Sequence, residues 1–204
     1  MKKVVLLGDS IRLIGYGKTV ESRLSGDFEV WQPLENCRFA KHTLRGLYDW
    51  RDELCGADII HWNNGLWDTW DVFGDGPFSS VEEFTENMLR IARLLKERAK
   101  VVIFATITPV RYGGSSDGNK IIEEYNAAIV PKLREMGVVI NDLYSAMLPD
   151  VDKYVSDDRV HLSAEGIAFT ADIIESVIRR EAETTESMDN AALGTENELG
   201  GAPV

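Results

Sequence analysis

A chain of 204 residues, 44% hydrophobic and 27% charged, is expected to fold as one soluble domain with a sizeable core. Its formal charge of -12 argues against a nucleic-acid partner, and about half of it lies after Arg180 in a tail without Lys or Arg. Cys37 and Cys55 form neither a disulfide framework nor a metal-ligand spacing, and no run approaches the length of a membrane span. The apolar run after Met1-Lys2-Lys3 is too short for a signal-peptide core, so a cytoplasmic setting is expected.

Apolar runs alternate with amphipathic stretches, the pattern of a parallel sheet covered by helices on both faces. Val4–Leu7 reads as a strand stopped by Gly8-Asp9-Ser10, and a helix is expected near Gly17–Leu24. Phe28–Trp31 is the second strand, followed by the polar loop Glu35–Arg38 and a helix around Lys41–Leu54. Ala57–Trp62 is the third strand. A long aromatic loop from Asn63 to Phe78 follows, and loops of that length tend to carry function. Ser80-Val81-Glu82-Glu83 is a capping box opening a helix to about Ala99. Val101–Ile107 is the fourth strand, and the loop Tyr112–Gly118 precedes a helix from Ile121 to Met136 that Pro131 should kink or divide. Val138–Ile140 is the fifth strand, and a last helix should run from Ser163 to near Glu181. The body is thus assigned to residues 1–182, and the acidic remainder, 183–204, reads as a disordered tail.

Two stretches carry chemistry. A buried strand ending in Gly8-Asp9-Ser10 puts a hydroxyl at the carboxyl edge of a sheet, where open α/β folds place their sites. Asp158 and His161 share one loop, three residues apart. There a carboxylate can hold one imidazole nitrogen while the other faces a nucleophile. Taken singly, each stretch is equally compatible with a helix cap. His61 reads as a core or edge histidine and His42 as a helix-surface one.

Gly8-Asp9-Ser10 together with Asp158-Arg159-Val160-His161 resembles the first and last sequence blocks of the SGNH, or GDSL, hydrolases, with a matching element order from residue 3 to about 180. The resemblance implies a three-layer α/β/α, flavodoxin-like fold with a five-stranded parallel sheet. It also implies ester hydrolysis through an acyl-enzyme, with no metal or organic cofactor. By it Ser10 is the nucleophile, His161 the general base and Asp158 its orienting carboxylate, Asp157 being a competitor for that role. The family's third block, Gly-x-Asn-Asp, is matched by Gly65-Leu66-Trp67-Asp68, so Trp67 stands where an oxyanion-binding asparagine is expected. The oxyanion donors are therefore assigned to the Ser10 N–H, an amide near Cys37 or Arg38, and Asn63 or Asn64.

Arg12, Arg38 and Arg111 fall in loops at the same edge and either bind an anionic substrate group or pair with carboxylates. Trp62, Trp67, Trp70, Phe73 and Phe78 either floor an acyl or sugar site or anchor the long loop. The expected partner is a small ester, with acetyl on a carbohydrate and longer acyl chains both open, no nucleic acid and no membrane; the oligomeric state is not legible. A flavodoxin-like module that binds a glycan or phosphorylated ligand without turnover is the competing reading.

Overall fold

The computed structural model describes residues 1–111 and 117–198, with side chains described through 187 except at 117 and 118. Most of the 112–118 loop, and the last residues of the acidic tail, 199–204, lie outside the described residues. In chain order the elements are β1 (Lys2–Leu7), a helical turn at Ile11–Tyr16 broken at Gly15, α1 (Gly17–Leu24), β2 (Phe28–Trp31) and α2 (Ala40–Asp49). There follow α3 (Arg51–Leu54), β3 (Ala57–Asn63), α4 (Leu66–Thr69), α5 (Val81–Lys96), β4 (Ala99–Ala105) and α6 (Asp117–Glu135). The chain closes with β5 (Val139–Asn141), α7 (Leu143–Met147), α8 (Val151–Tyr154) and α9 (Ala164–Glu198).

The strands form one parallel sheet in the order β2-β1-β3-β4-β5. This is the flavodoxin-like order, and its direction reverses between β1 and β3, where the loops following those strands part to leave a crevice. Val4, Val5, Leu6 and Leu7 have no exposed surface, because β1 is an interior strand with helices over both faces. One helical layer pairs α1 with α9; in the other, α5 packs against both α2 and α6. The cap of α5 is as expected, the Ser80 hydroxyl accepting from the Glu83 N–H at 3.2 Å.

Strand and helix ends shift by one to four residues from the expectations, β4 running Ala99–Ala105 and α6 beginning at Asp117, and three differences are larger or have a clear cause. The helix expected at Lys41–Leu54 is interrupted at Trp50, whose ring folds back over Gly46 and packs near Trp31. Pro131 lies inside α6 without dividing it; it stands on the exposed side of the helix. The last helix passes Glu181 and runs to Glu198, with Ala182 and Thr185 buried and Lys2 donating to the Ala182 carbonyl and to Thr185 Oγ1.

The start of α9 is set by contact rather than propensity. A Cβ on Gly166 would lie 2.0 Å from the Tyr154 carbonyl oxygen, so only glycine lets α9 approach the end of α8. Gly166→Ala should therefore cost about 1–3 kcal/mol in denaturant unfolding, the range for overpacking a filled site. Gly26→Ala, where a Cβ meets nothing within 4 Å, should stay within about 0.5 kcal/mol of the parent. Equal effects would refute the contact argument.

Candidate active site

The crevice at the carboxyl ends of β1 and β3 holds a cleft of about 560 Å³. Ser10, Asn36, Asp158 and His161 give it polar groups, and Leu66, Trp67, Trp70, Val72, Phe78 and Val160 give it apolar walls. Residues 151 positions apart in the chain, Ser10 and His161, thus face one space.

The β1 end is built tightly. A Cβ on Gly8 would lie 1.9 Å from Asn63 Oδ1, so glycine is what allows the ends of the two central strands to close on each other. Asp9 is fully buried, and its Oδ1 accepts from the Ile11 N–H and from Asn63 Nδ2, both at 2.9 Å. Burial raises the Asp9 pKa, and those two donors oppose the rise. With Asp9 turned inward, the next residue, Ser10, stands in the cleft wall. Its N–H lies in the first turn of a helical segment, where amides lack intrahelical partners; that turn is closed by Leu13 N–H donating to the Asp9 carbonyl at 3.0 Å.

The histidine loop organises itself. Ser156 N–H donates to the His161 carbonyl at 2.7 Å, and an antiparallel bridge joins Val155 to Leu162. Asp158 Oδ1 accepts from the Val160 N–H, the His161 N–H and the Ser156 hydroxyl at 2.8–2.9 Å, and Oδ2 lies 2.7 Å from His161 Nδ1. Partial desolvation pushes the Asp158 pKa up, but these bonds outweigh it and hold the carboxyl well below the usual range. Being ionised it can only accept, so the Nδ1 of His161 carries the proton and Nε2 is left as the basic nitrogen of the neutral ring. Asp157 instead lies 3.5 Å from an Arg111 nitrogen, which leaves Asp158 as the histidine's carboxylate partner.

Several candidates are spent elsewhere. The Cys37 N–H donates to the Gly8 carbonyl at 3.1 Å and the Arg38 N–H to Asn36 Oδ1 at 2.8 Å, so neither amide is free to act as an oxyanion donor. The Cys37 thiol accepts from Gly8 N–H, and burial pushes its pKa up to about 11, so it is no nucleophile. Asn64 is buried: its Nδ2 donates to the Arg38 carbonyl, and its Oδ1 accepts from Thr43 Oγ1 and Trp62 Nε1. Asn63 Oδ1 accepts from the Tyr16 hydroxyl at 2.7 Å, and its Nδ2 has one hydrogen on Asp9 and a second to give. Asn36, whose polar loop sequence analysis read only for its backbone amides, is the asparagine that lines the cleft.

Two of the three arginines are engaged within the fold. Arg12 is fully buried and donates to Gln32 Oε1 and to the carbonyls of Gly8, Pro33 and Glu35, lashing the β1 end to the loop after β2. Arg111 donates to Asp152, Asp157 and the carbonyls of Val155 and Ser156, while its own N–H meets the Arg159 carbonyl; it clamps the histidine loop. Arg38, exposed, lies over the Trp67 ring at 5.8 Å. His61 is fully buried next to Asn141 Nδ2, and burial lowers its pKa to about 3, so it stays neutral as a core residue.

The aromatic loop both anchors and lines. Trp62 lies in the core against Phe104, whereas Trp67, Trp70 and Phe78 form cleft wall, with Phe39 packed on Trp67 and Phe78. The anchor is Asp68, a buried carboxylate that accepts from the Ala40 N–H and the Ser79 hydroxyl at 3.0 and 2.9 Å. Burial raises its pKa to about 6 against those two donors. Its folded value exceeds the unfolded one, so the native state holds this proton more tightly. The associated stability is full below pH 4 and is lost as pH rises to about 6. The span is roughly 2–3 kcal/mol. Denaturant midpoints measured from pH 4 to 7 should show Asp68→Asn gaining on the parent by that amount, and a constant difference between the two would reject the assignment.

Among the described residues no three His, Cys, Asp or Glu side chains are placed to hold a metal ion, and no helix is long and apolar enough to cross a membrane.

No family model and no curated protein matches this sequence. Among solved structures the chain is similar to a lipase/acylhydrolase from Enterococcus faecalis, at 21% identity and TM-score 0.71, covering 87% of this chain and 95% of that one. An acetyl xylan esterase follows at 19% identity and TM-score 0.74, with 86% and 99% covered. A catalytic mutant of an acetylxylan esterase from Geobacillus stearothermophilus gives 15% identity and TM-score 0.70, with 88% and 93% covered. The chain therefore has the three-layer α/β/α fold of the SGNH hydrolases, the fold that its first and last sequence blocks implied.

Proposed function

We propose that the protein is a serine esterase acting on carboxylic esters. The observation that carries this reading is the common cleft of Ser10 and an Asp158–His161 pair joined at 2.7 Å. Ser10 Oγ attacks the ester carbonyl and its proton passes to His161 Nε2. His161 then protonates the departing alcohol, leaving the acyl group on Ser10. Water, deprotonated by the same nitrogen, attacks the acyl-enzyme and releases the acid and the free serine. Asp158 stays ionised throughout, holding the ring in one tautomer and stabilising the imidazolium. Supporting this division of roles, the Geobacillus stearothermophilus acetylxylan esterase has catalytic mutants at a serine, an aspartate and a histidine, the last two also three positions apart.

The Ser10 N–H supplies one oxyanion donor. Three side-chain amides compete for the next place: Asn36, in the cleft wall, and Asn63 and Asn64, whose Nδ2 groups each have one hydrogen committed, to Asp9 and to the Arg38 carbonyl. Alanine at the true donor should cut kcat by 10²–10³, about 2.7–4 kcal/mol, with KM little changed. Asn36→Ala is the discriminating variant, because Asn63 also holds Asp9 and Tyr16: the full loss makes Asn36 the donor, and a kcat close to the parent's leaves the place to the asparagines at the end of β3.

The parent enzyme should hydrolyse p-nitrophenyl acetate and take a fluorophosphonate on Ser10, while Ser10→Ala should do neither. A ligand-binding module without turnover would leave Ser10 unlabelled, and an unlabelled, inactive parent overturns the proposal.

A further inference from the structure

The cleft is much larger than an acetyl group, and its volume falls within the range of about 300–1,000 Å³ that takes ligands of many atoms. What fills the remainder is decided by the walls. Outside Ser10, Asn36, Asp158 and His161 the lining side chains are aliphatic or aromatic, and the polar atoms they add are the indole N–H groups of Trp67 and Trp70. Of those four, Asp158 already accepts on both oxygens and Asn36 Oδ1 already takes the Arg38 N–H. A pyranose brings several hydroxyls, each needing a partner once buried, and these walls offer them almost none.

The apolar side also runs out to solvent. Trp70, Val72 and Phe78 keep 38%, 55% and 48% of their surface exposed, and Phe73 beside Phe78 keeps 79%. This apolar surface is continuous with the cleft, and a bound chain would cover it. Nor is the wall loose: Phe78 N–H donates to the Trp70 carbonyl, Ser79 N–H to the Asp68 carbonyl, and Asp68 pins the segment to the start of α2. The cost of shaping the site is therefore met before substrate arrives.

We infer that the cleft seats an apolar acyl chain of medium length along Trp67, Trp70, Val72 and Phe78, so that the substrates are esters of such acids rather than acetylated sugars. The inference rests on the esterase reading of Ser10 and adds the acyl specificity to it.

The test is a series of p-nitrophenyl esters from acetate to decanoate on the full chain, with acetylated xylo-oligosaccharide alongside. The kcat/KM should climb by roughly fourfold per methylene while the chain is being buried, and reach at least tenfold over acetate by hexanoate. Acetylated xylo-oligosaccharide should be the poorest substrate. Val72→Asp, at a half-exposed position where folding is not at risk, should lower the octanoate-to-acetate ratio at least tenfold. A series that is flat or falls from acetate, a preference for the acetylated sugar, or an unchanged ratio in Val72→Asp would each overturn the inference and leave the esterase reading standing. Absence of both turnover and fluorophosphonate labelling would instead remove the reading beneath it.

Discussion

The amide oxygen of Asn63 pressed against the bare Cα of Gly8 is the contact on which the site depends. In a parallel sheet the loops after neighbouring strands leave from the same edge, and at the β1/β3 reversal they diverge. The Gly8–Asn63 contact fixes how near those loops begin. Asp9 then turns inward to Asn63 and Ile11, and Ser10 is left in the cleft wall. Arg12 completes the junction from beneath by donating to carbonyls of both the β1 end and the loop after β2. Most of the buried polar atoms here are bonded, Asp9 through Oδ1 and Arg12 through both terminal nitrogens, while Asp9 Oδ2 and Arg12 Nε are buried without a hydrogen-bond partner, so the junction is held at a cost that few alternative arrangements would lower.

The histidine loop follows a different principle. Nearly all its bonds are local: one carboxylate oxygen collects two backbone amides and a hydroxyl, while the second takes the ring. Arg159 at φ 71° sits in the left-handed region that this tight turn requires, and its carbonyl is held by the Arg111 N–H. Arg111 supplies the long-range tether, so the loop keeps its shape by itself and its place by a residue from the loop after β4. A histidine whose tautomer and position are set separately is preorganised for the proton transfer proposed for it.

The third component, the aromatic wall, is held by a buried carboxylate at some cost to stability near neutral pH, since burial makes Asp68 reluctant to ionise. Proteins tolerate such groups where geometry matters more than stability. Here the gain is a segment of bulky, half-exposed side chains kept beside Ser10 in the cleft wall.

What the sequence determined by itself is local. The apolar runs Val4–Leu7 and Val101–Ala105 read as strands buried on both faces, and their alternation with helical stretches pointed to a parallel sheet covered on both sides, whereas the order of the strands came from the fold. The Asp158–His161 pair was equally legible, because a three-residue spacing in a tight loop leaves little freedom in where the carboxylate can go. Tertiary structure decided which polar groups remain available. Cys37, Asn64, Arg12 and Arg111 were all plausible at the cleft, yet their donors meet carbonyls and carboxylates that lie far away in the sequence. Asn36 and the wall from Trp67 to Phe78 emerged only in the same way. A hydrogen-bonding group is free or spent according to what packs beside it, and that is a property of the folded chain that no spacing along the sequence encodes.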